Sequence, residues 1–129
     1  MINKHNVRYN NLVGKEQLNV FRYLMQSDEG SFFNETINEL MEIANEMPRT
    51  YETKDIAENN KIAHLHYFKG GFDFYMVEMD ALPELSKCFG FIKGHETEWD
   101  YISLPDILKA GVELDLHWTP KSIAEIKKM

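Results

Sequence analysis

Apolar residues in the first part of the chain recur with the period of a helix and form two stripes. The first stripe lies between Gly14 and Gly30. The second follows Ser31, a residue type that suits a helix N-cap, and stops before Pro48, because proline disfavours the helical conformation in the residue before it. We therefore expect two helices within 14–47. The stripes are Leu18, Phe21, Leu24 and Met25, and Phe33, Ile37, Leu40, Met41, Ala44 and Met47.

The stretch 62–80, IAHLHYFKGGFDFYMVEMD, carries the strongest hairpin signal, two aromatic-rich runs around Gly70-Gly71. A two-residue Gly-Gly loop suits the positive φ angles of a type I′ turn. The loop sets the register and so divides the hairpin into two faces, one expected to pack on the second helix and one less buried. The helix-facing set is Leu65, Tyr67, Phe74 and Met76, and the other set is His64, His66, Tyr75 and Val77.

The remaining elements are shorter. A loop at 81–84 separates the hairpin from further strands, and in the last strand the apolar residues Val112, Leu114, Leu116 and Trp118 alternate inward. Helices followed by strands in meander order predict an α+β fold, with two N-terminal helices packed on one face of an antiparallel sheet of about five strands. The predicted strands are 87–92, 98–104 and 112–118, and short helices are predicted near 105–110 and 120–127.

Length and composition indicate one soluble domain over 1–129, divided into an irregular arm (1–13), a helical part (14–47) and a sheet part (62–129). No apolar run approaches the roughly 20 residues of a membrane span, and the first residues lack the apolar core of a secretory signal. A single cysteine, Cys88, excludes an internal disulfide and fits a reducing compartment. We therefore expect a cytoplasmic protein without a membrane partner.

The net charge of −7 comes entirely from one segment, 28–58, because acids and bases cancel over the rest of the chain. Such a surface repels the phosphates of nucleic acid and attracts a basic protein surface. A solvated helix face that keeps the protein soluble explains the same residues. The candidate partner-binding residues are Glu35, Glu39, Glu42, Glu46, Glu52 and Asp55.

Four residues on the less buried hairpin face form the first candidate chemical site: His64, His66, Asp73 and Tyr75. Two histidines at i and i+2 of a strand can both ligate a metal, and Asp73, diagonal to His66 on the next strand, can complete the set. The same residues can serve as catalytic groups of a hydrolase-type enzyme. Ordinary histidines on the less buried sheet face explain the same residues and are the favoured interpretation, since His-x-His alone is a weak motif.

Other acidic and nucleophilic residues give weaker candidates. Glu98 and Asp100, with His95-Glu96 before them, point to one side of a strand and can share a divalent ion or act as a general acid/base pair, although a solvated strand face gives the same pattern. Glu78 and Asp80 end the second hairpin strand, where charge is common. Cys88 lies in an apolar run, which favours packing over catalysis.

Five segments together resemble an uncharacterised family of small proteins, or C-terminal domains, encoded on phages, plasmids and conjugative elements. The likeness spans roughly 47–126 and implies a compact α+β domain of mobile-element origin. It implies no catalytic residue or cofactor. The segments are MPRTYET, LHYFKGGFDFYMVEMD, FGFIKG, EWDYISL and VELDLHWTPKSIAEI, and the patterned positions are Asp73, Tyr75, Glu78, Asp80, Glu98, Tyr101, Ser103, Asp115 and Pro120.

These observations favour a non-enzymatic interaction or inhibitor module, of phage or plasmid origin, whose acidic helix contacts a basic protein such as a host defence or DNA-binding protein. The alternative is a small metal-binding domain or enzyme that uses His64, His66 and Asp73. A third interpretation is an accessory domain that works beside a larger protein. If helices cover only one face of the sheet, the other needs a cover, and this predicts a homodimer.

Overall fold

A computed structural model describes residues 9–80 and 87–129 of the protein. Helices and strands follow one another as the α+β pattern predicts, with one antiparallel sheet and one two-stranded ribbon. The helices are α1 (Tyr9–Leu12), α2 (Lys15–Met25), α3 (Gly30–Glu46), α4 (Leu104–Lys109) and α5 (Ile123–Lys127), with a 3₁₀ turn at Glu58–Asn60. The strands are β1 (Ile62–Ala63), β2 (Leu65–Lys69), β3 (Phe72–Met79), β4 (Cys88–Lys93), β5 (Thr97–Ile102), β6 (Glu113–Leu114) and β7 (Lys121–Ser122).

The two N-terminal helices form where the stripes predict them, but their junction differs in detail. Gly30 is the first residue of α3 rather than the end of the preceding helix, and Glu29, not Ser31, is the N-cap. A Cβ on Gly30 would lie 2.4 Å from the carbonyl oxygen of Met25, so glycine permits the close turn between the helices. Met47 is extended before Pro48, as expected.

The five-stranded sheet has the order β5-β4-β3-β2-β6. Leu65 pairs with Met76 and Tyr67 with Phe74, so the predicted hairpin register is confirmed. Within the loop only Gly70 has a positive φ, +58°, which fits a type II′ turn and corrects the predicted type I′ turn. The predicted core face is buried against α2, α3 and α4 in a first hydrophobic cluster.

The chain just before α2 belongs to this core. An irregular arm was expected over 1–13; in its described part, residues 9–12 form a helical turn, and Leu12 and Val13 are buried. The hydroxyl of Tyr67 donates to the carbonyl oxygen of Leu12 at 2.6 Å. The predicted loop at 81–84 lies outside the described residues.

The second face of the sheet is covered by the C-terminal part of the chain, which the sequence did not indicate. Trp118, Ile123 and Ile126 pack with Tyr75, Val77 and Phe91 in a second hydrophobic cluster. The pairing of β1 with β7 and a capping box between Ser122 and Glu125 hold this segment in place. An intramolecular cover removes the reason for expecting a homodimer, and the oligomeric state stays a prediction.

The predicted strand over 112–118 is wrong beyond its first half. Only Glu113–Leu114 pairs with β2, after which the chain turns at Asp115. An oxygen of the Asp115 carboxylate accepts the N–H of His117 at 2.9 Å, and this short-range bond stabilises the turn. Leu114 therefore packs in the first cluster and Trp118 in the second.

Candidate functional site

His66 lies between two carboxylates that come from different elements. Its Nε2 is 2.8 Å from Oδ1 of Asp73 on β3, and its Nδ1 is 2.8 Å from Oδ2 of Asp115, in the turn after β6. The side chain of His66 is 12% exposed, whereas Asp115 is 23% and Asp73 39% exposed. The predicted contact between His66 and Asp73 is therefore present, and Asp115 also contacts His66.

Asp73 contacts His66 because paired strands bring diagonal neighbours close together. The hairpin register therefore predicts this contact. Asp115 lies 49 positions after His66 in the chain. Its own N–H donates to the carbonyl oxygen of His66 at 2.9 Å. No local pattern indicated this contact. The nearest signal was the resemblance, which singled out Asp73 and Asp115 among its patterned positions.

Aromatic rings enclose the imidazole of His66. The ring of Tyr75 stacks on it with centroids 4.7 Å apart, and the indole of Trp118 lies at 5.0 Å. Burial, and then the charges of Asp73 and Asp115, raise the pKa of Tyr75 to about 12, so its phenol stays protonated at neutral pH. The cluster thus stacks a neutral phenol ring on a histidine whose two nitrogens both face carboxylates.

This arrangement is better suited to holding β2, β3 and the turn after β6 together than to binding a metal. A metal needs the lone pair of an imidazole nitrogen, and each nitrogen of His66 already faces a carboxylate oxygen. Among residues 9–80 and 87–129, no group of three or more His, Cys, Asp and Glu side chains is placed to hold a metal ion. His64 lies half-buried between β1 and β2, and its N–H donates to the carbonyl oxygen of Met76 at 2.9 Å.

Cys88 is separated from this histidine by the sheet. Its thiol is buried in the first cluster, beneath the helices, whereas Tyr75 and Trp118, which enclose His66, belong to the second cluster. Burial, and secondarily the charge of Asp80, raise the pKa of the Cys88 thiol to about 12. A neutral, buried thiol is a packing group rather than a nucleophile.

Glu78, expected to be an ordinary charge at the end of a strand, lies in a buried polar network. It is 3% exposed, and its carboxylate accepts the N–H of Tyr51 at 2.8 Å and the N–H of Thr53 at 3.1 Å. The hydroxyl of Thr53 also donates to Glu78, and the buried Lys61 ammonium donates to the Thr53 hydroxyl at 2.9 Å. The hydroxyl of Thr50 donates to Asp80. Both acids therefore fasten the 49–55 connector to the end of β3.

The candidate partner-binding acids are all exposed. Four of them recur at helical spacing along α3, on the side opposite the buried Ile37, Leu40 and Ala44. Two more lie on the connector that follows. We call this set the acidic surface, and it consists of Glu35, Glu39, Glu42, Glu46, Glu52 and Asp55.

Phe32 is an exposed aromatic residue outside every predicted site. Its side chain is 66% exposed, and it precedes Glu35 by three positions and Glu39 by seven. This spacing places the ring on the same side of α3 as the acidic surface. The signal was present in the sequence, since only Phe33 fits the buried stripe.

A comparison of the chain with protein-family models, with curated proteins and with solved structures finds no match. The likeness to mobile-element proteins therefore stays a prediction. No helix in the described part of the chain is long and apolar enough to cross a membrane.

Proposed function

We propose that the protein is a non-enzymatic interaction module that binds a basic protein through the acidic surface. One observation carries the proposal: the acids of the charge-bearing segment are all exposed, and those on α3 share one side of the helix. Side chains in such an array add their potentials, which steers a basic partner and speeds association.

Phe32 supports an interface over a merely solvating role for these acids. Interfaces typically centre on a large aromatic side chain that is surrounded by polar and charged groups. The exposed ring of Phe32 beside Glu35 and Glu39 has this composition. We therefore place the contact at the N-terminal half of α3, with the remaining acids at its rim.

The partner is a protein with a basic surface, such as a nucleic-acid-binding or defence protein of the host. A basic protein surface that attracts the phosphates of nucleic acid also attracts a row of carboxylates. The resemblance to mobile-element proteins points to the same class of target. The proposed partner is a protein, not nucleic acid.

The decisive experiment compares two variants with the same change in charge. Immobilised protein captures basic proteins from a host lysate, and the captured protein is then purified and its affinity measured against salt. Glu35→Gln, Glu39→Gln, Glu42→Gln and Glu46→Gln together should weaken binding by about tenfold or more and flatten the salt dependence. The control removes four exposed acids elsewhere, at Glu16, Glu96, Asp106 and Glu113.

Equal loss of affinity in both variants would show that only net charge matters and would refute a specific acidic surface. Phe32→Ser adds a charge-independent arm, because it should lower affinity without changing the slope of affinity against salt. If a captured partner binds the Phe32→Ser variant with the same affinity as the original protein, Phe32 is not part of the contact.

The alternative function, metal binding or hydrolase-type chemistry at His64, His66 and Asp73, requires that a metal ion displace the contact between His66 and Asp73. A ligand that binds only the folded state raises thermal stability. Added Zn²⁺ or Mn²⁺ should therefore raise the melting temperature of the wild type, and Asp73→Asn should abolish the rise. No rise in the wild type would reject the metal site.

A further inference from the structure

β5 forms one end of the five-stranded sheet. Its inner edge pairs with β4 from Thr97 to Ile102, and among the described residues no strand pairs with its outer edge. An unpaired edge presents a row of backbone donors and acceptors, and this is the template on which extended peptides add a further strand.

One hydrogen bond shows which backbone groups point outward. The N–H of Tyr101 donates to Oδ1 of Asp100 at 2.7 Å, so it is directed away from the ladder with β4. Because successive residues of an antiparallel strand direct their backbone groups to opposite edges, Trp99 shares this outward direction. The Asp100 carboxylate thus occupies, at Tyr101, the position that a carbonyl oxygen of an added strand would take.

The two faces of β5 carry opposite chemistry. Glu98 and Asp100 lie on the side of Ile102, which faces the first cluster, and both are exposed. Trp99 and Tyr101 lie on the other side, where Phe89 contacts both rings with centroids 5.5 and 5.0 Å apart. Tyr101 remains 41% exposed. An added strand would therefore meet two carboxylates on one face and an aromatic row on the other.

We infer that β5 binds an extended segment of a partner protein that alternates basic with apolar residues. Side chains directly opposite each other on paired strands share a face, so basic residues would lie against Glu98 and Asp100 and apolar ones against Trp99 and Tyr101. A second copy of β5 is a poor occupant, because antiparallel pairing would bring the carboxylates of the two copies together.

The β5 site includes no residue of the acidic surface, so either proposal can be wrong while the other is right. The probe is a labelled synthetic peptide of about eight residues, the length of a typical strand, that alternates lysine with valine. Fluorescence anisotropy measures its affinity for the full chain, and hydrogen exchange follows the amides of Trp99 and Tyr101. Binding should slow exchange at both amides, because Trp99 gains a hydrogen bond to the peptide and, at Tyr101, a peptide carbonyl replaces the exposed Asp100 carboxylate and shields the amide from water.

Two controls separate strand addition from charge attraction. A copy of the peptide N-methylated at two adjacent central residues loses one donor on each edge and should bind about tenfold more weakly. Glu98→Lys with Asp100→Lys should lower affinity for the lysine peptide about tenfold and favour a glutamate–valine peptide. Glu16→Lys with Glu113→Lys, at exposed positions on α2 and on β6 at the opposite end of the sheet, makes the same change in charge and should leave both peptides' affinities unchanged.

Three results would overturn the inference. One is unchanged exchange at Trp99 and Tyr101 when the lysine peptide binds. Another is equal affinity for the peptide and its N-methylated copy, which would mean charge attraction alone. The third is concentration-dependent protection of the same amides without peptide, together with a dimer in sedimentation, which would make a second copy the occupant.

Discussion

The carboxylate of Asp115 joins the turn after β6 to the imidazole of His66, with Oδ2 2.8 Å from Nδ1. The same residue accepts from the N–H of His117 and donates its own N–H to the carbonyl oxygen of His66. Asp115 therefore fixes the point at which the chain leaves the first cluster and crosses to the second. Asp73 contacts the other ring nitrogen, and among the described residues its carboxylate accepts from no backbone N–H.

Asp115→Asn should consequently destabilise the protein more than Asp73→Asn. The amide cannot accept with both oxygens, so the contact to His66 or to the His117 N–H is lost at a part-buried position, at a cost of about 1–3 kcal/mol. The more exposed Asp73 should cost about 1 kcal/mol or less. Urea denaturation measures both free energies of unfolding, and equal losses would contradict the role of Asp115 in the turn.

Glu78→Gln tests the buried network at the end of β3. A glutamine turns one of the two acceptors into a donor, which then faces the N–H of Tyr51 or the groups of Thr53. A buried donor without an acceptor costs about 1–3 kcal/mol, and the 49–55 connector should become more susceptible to proteolysis. Asp55→Asn, at an exposed position of the same connector, is the matched control and should change stability by less than about 0.5 kcal/mol.

Gly90→Ala tests the close approach of β4 to β3. A Cβ at Gly90 would lie 2.2 Å from the carbonyl oxygen of Tyr75, and backbone atoms cannot move aside as a side chain can. We expect a loss of roughly 3 kcal/mol or more, measured by thermal or chemical unfolding. Gly71→Ala provides the comparison, because its φ is not positive and a Cβ there meets nothing within 4 Å. Similar losses at the two glycines would refute the steric argument.

The hairpin and the helices could be predicted because their determinants are local. The two-residue loop Gly70-Gly71 fixes the register of β2 and β3, and the position of Pro48 fixes the end of α3. The contact between His66 and Asp73 followed from that register alone. Each of these features depends on residues fewer than about ten positions apart, which is the range that periodicity reports.

The features that were missed depend on distant contacts. Alternation over 112–118 gives no sign that Asp115 turns the chain, because the bond to His66 spans 49 positions. The same holds for the indole of Trp118, which donates to the carbonyl oxygen of Ala63 at 3.1 Å and holds the C-terminal segment on the second face. The burial of Glu78 likewise requires the connector that precedes β1. Tertiary contacts override the local pattern at these residues.

Alkaline pH should destabilise the fold through protons that only the folded protein retains. Burial raises the pKa of Tyr67 well above its ordinary value of 10.0 and that of Cys88 from 9.0 to about 12. The unfolded chain loses these protons as the pH passes 9 to 10, whereas the folded chain keeps them. The folded state then binds more protons, so the free energy of unfolding begins to fall as pH rises through this interval. It continues to fall until the pH reaches the raised pKa values of the folded state, and it is unaffected below the interval.

Tyr67→Phe isolates one of these groups. The variant should be less stable at about pH 8, by about 1–3 kcal/mol, because the carbonyl oxygen of Leu12 loses the buried hydroxyl that donates to it. Between about pH 8 and about pH 11 its stability should fall less steeply than that of the wild type, since it has no phenol proton to lose on unfolding. Urea denaturation at several pH values measures both quantities. Tyr23→Phe, at an exposed position, should follow the wild-type profile, and a Tyr67→Phe profile parallel to the wild type would show that this phenol does not limit alkaline stability.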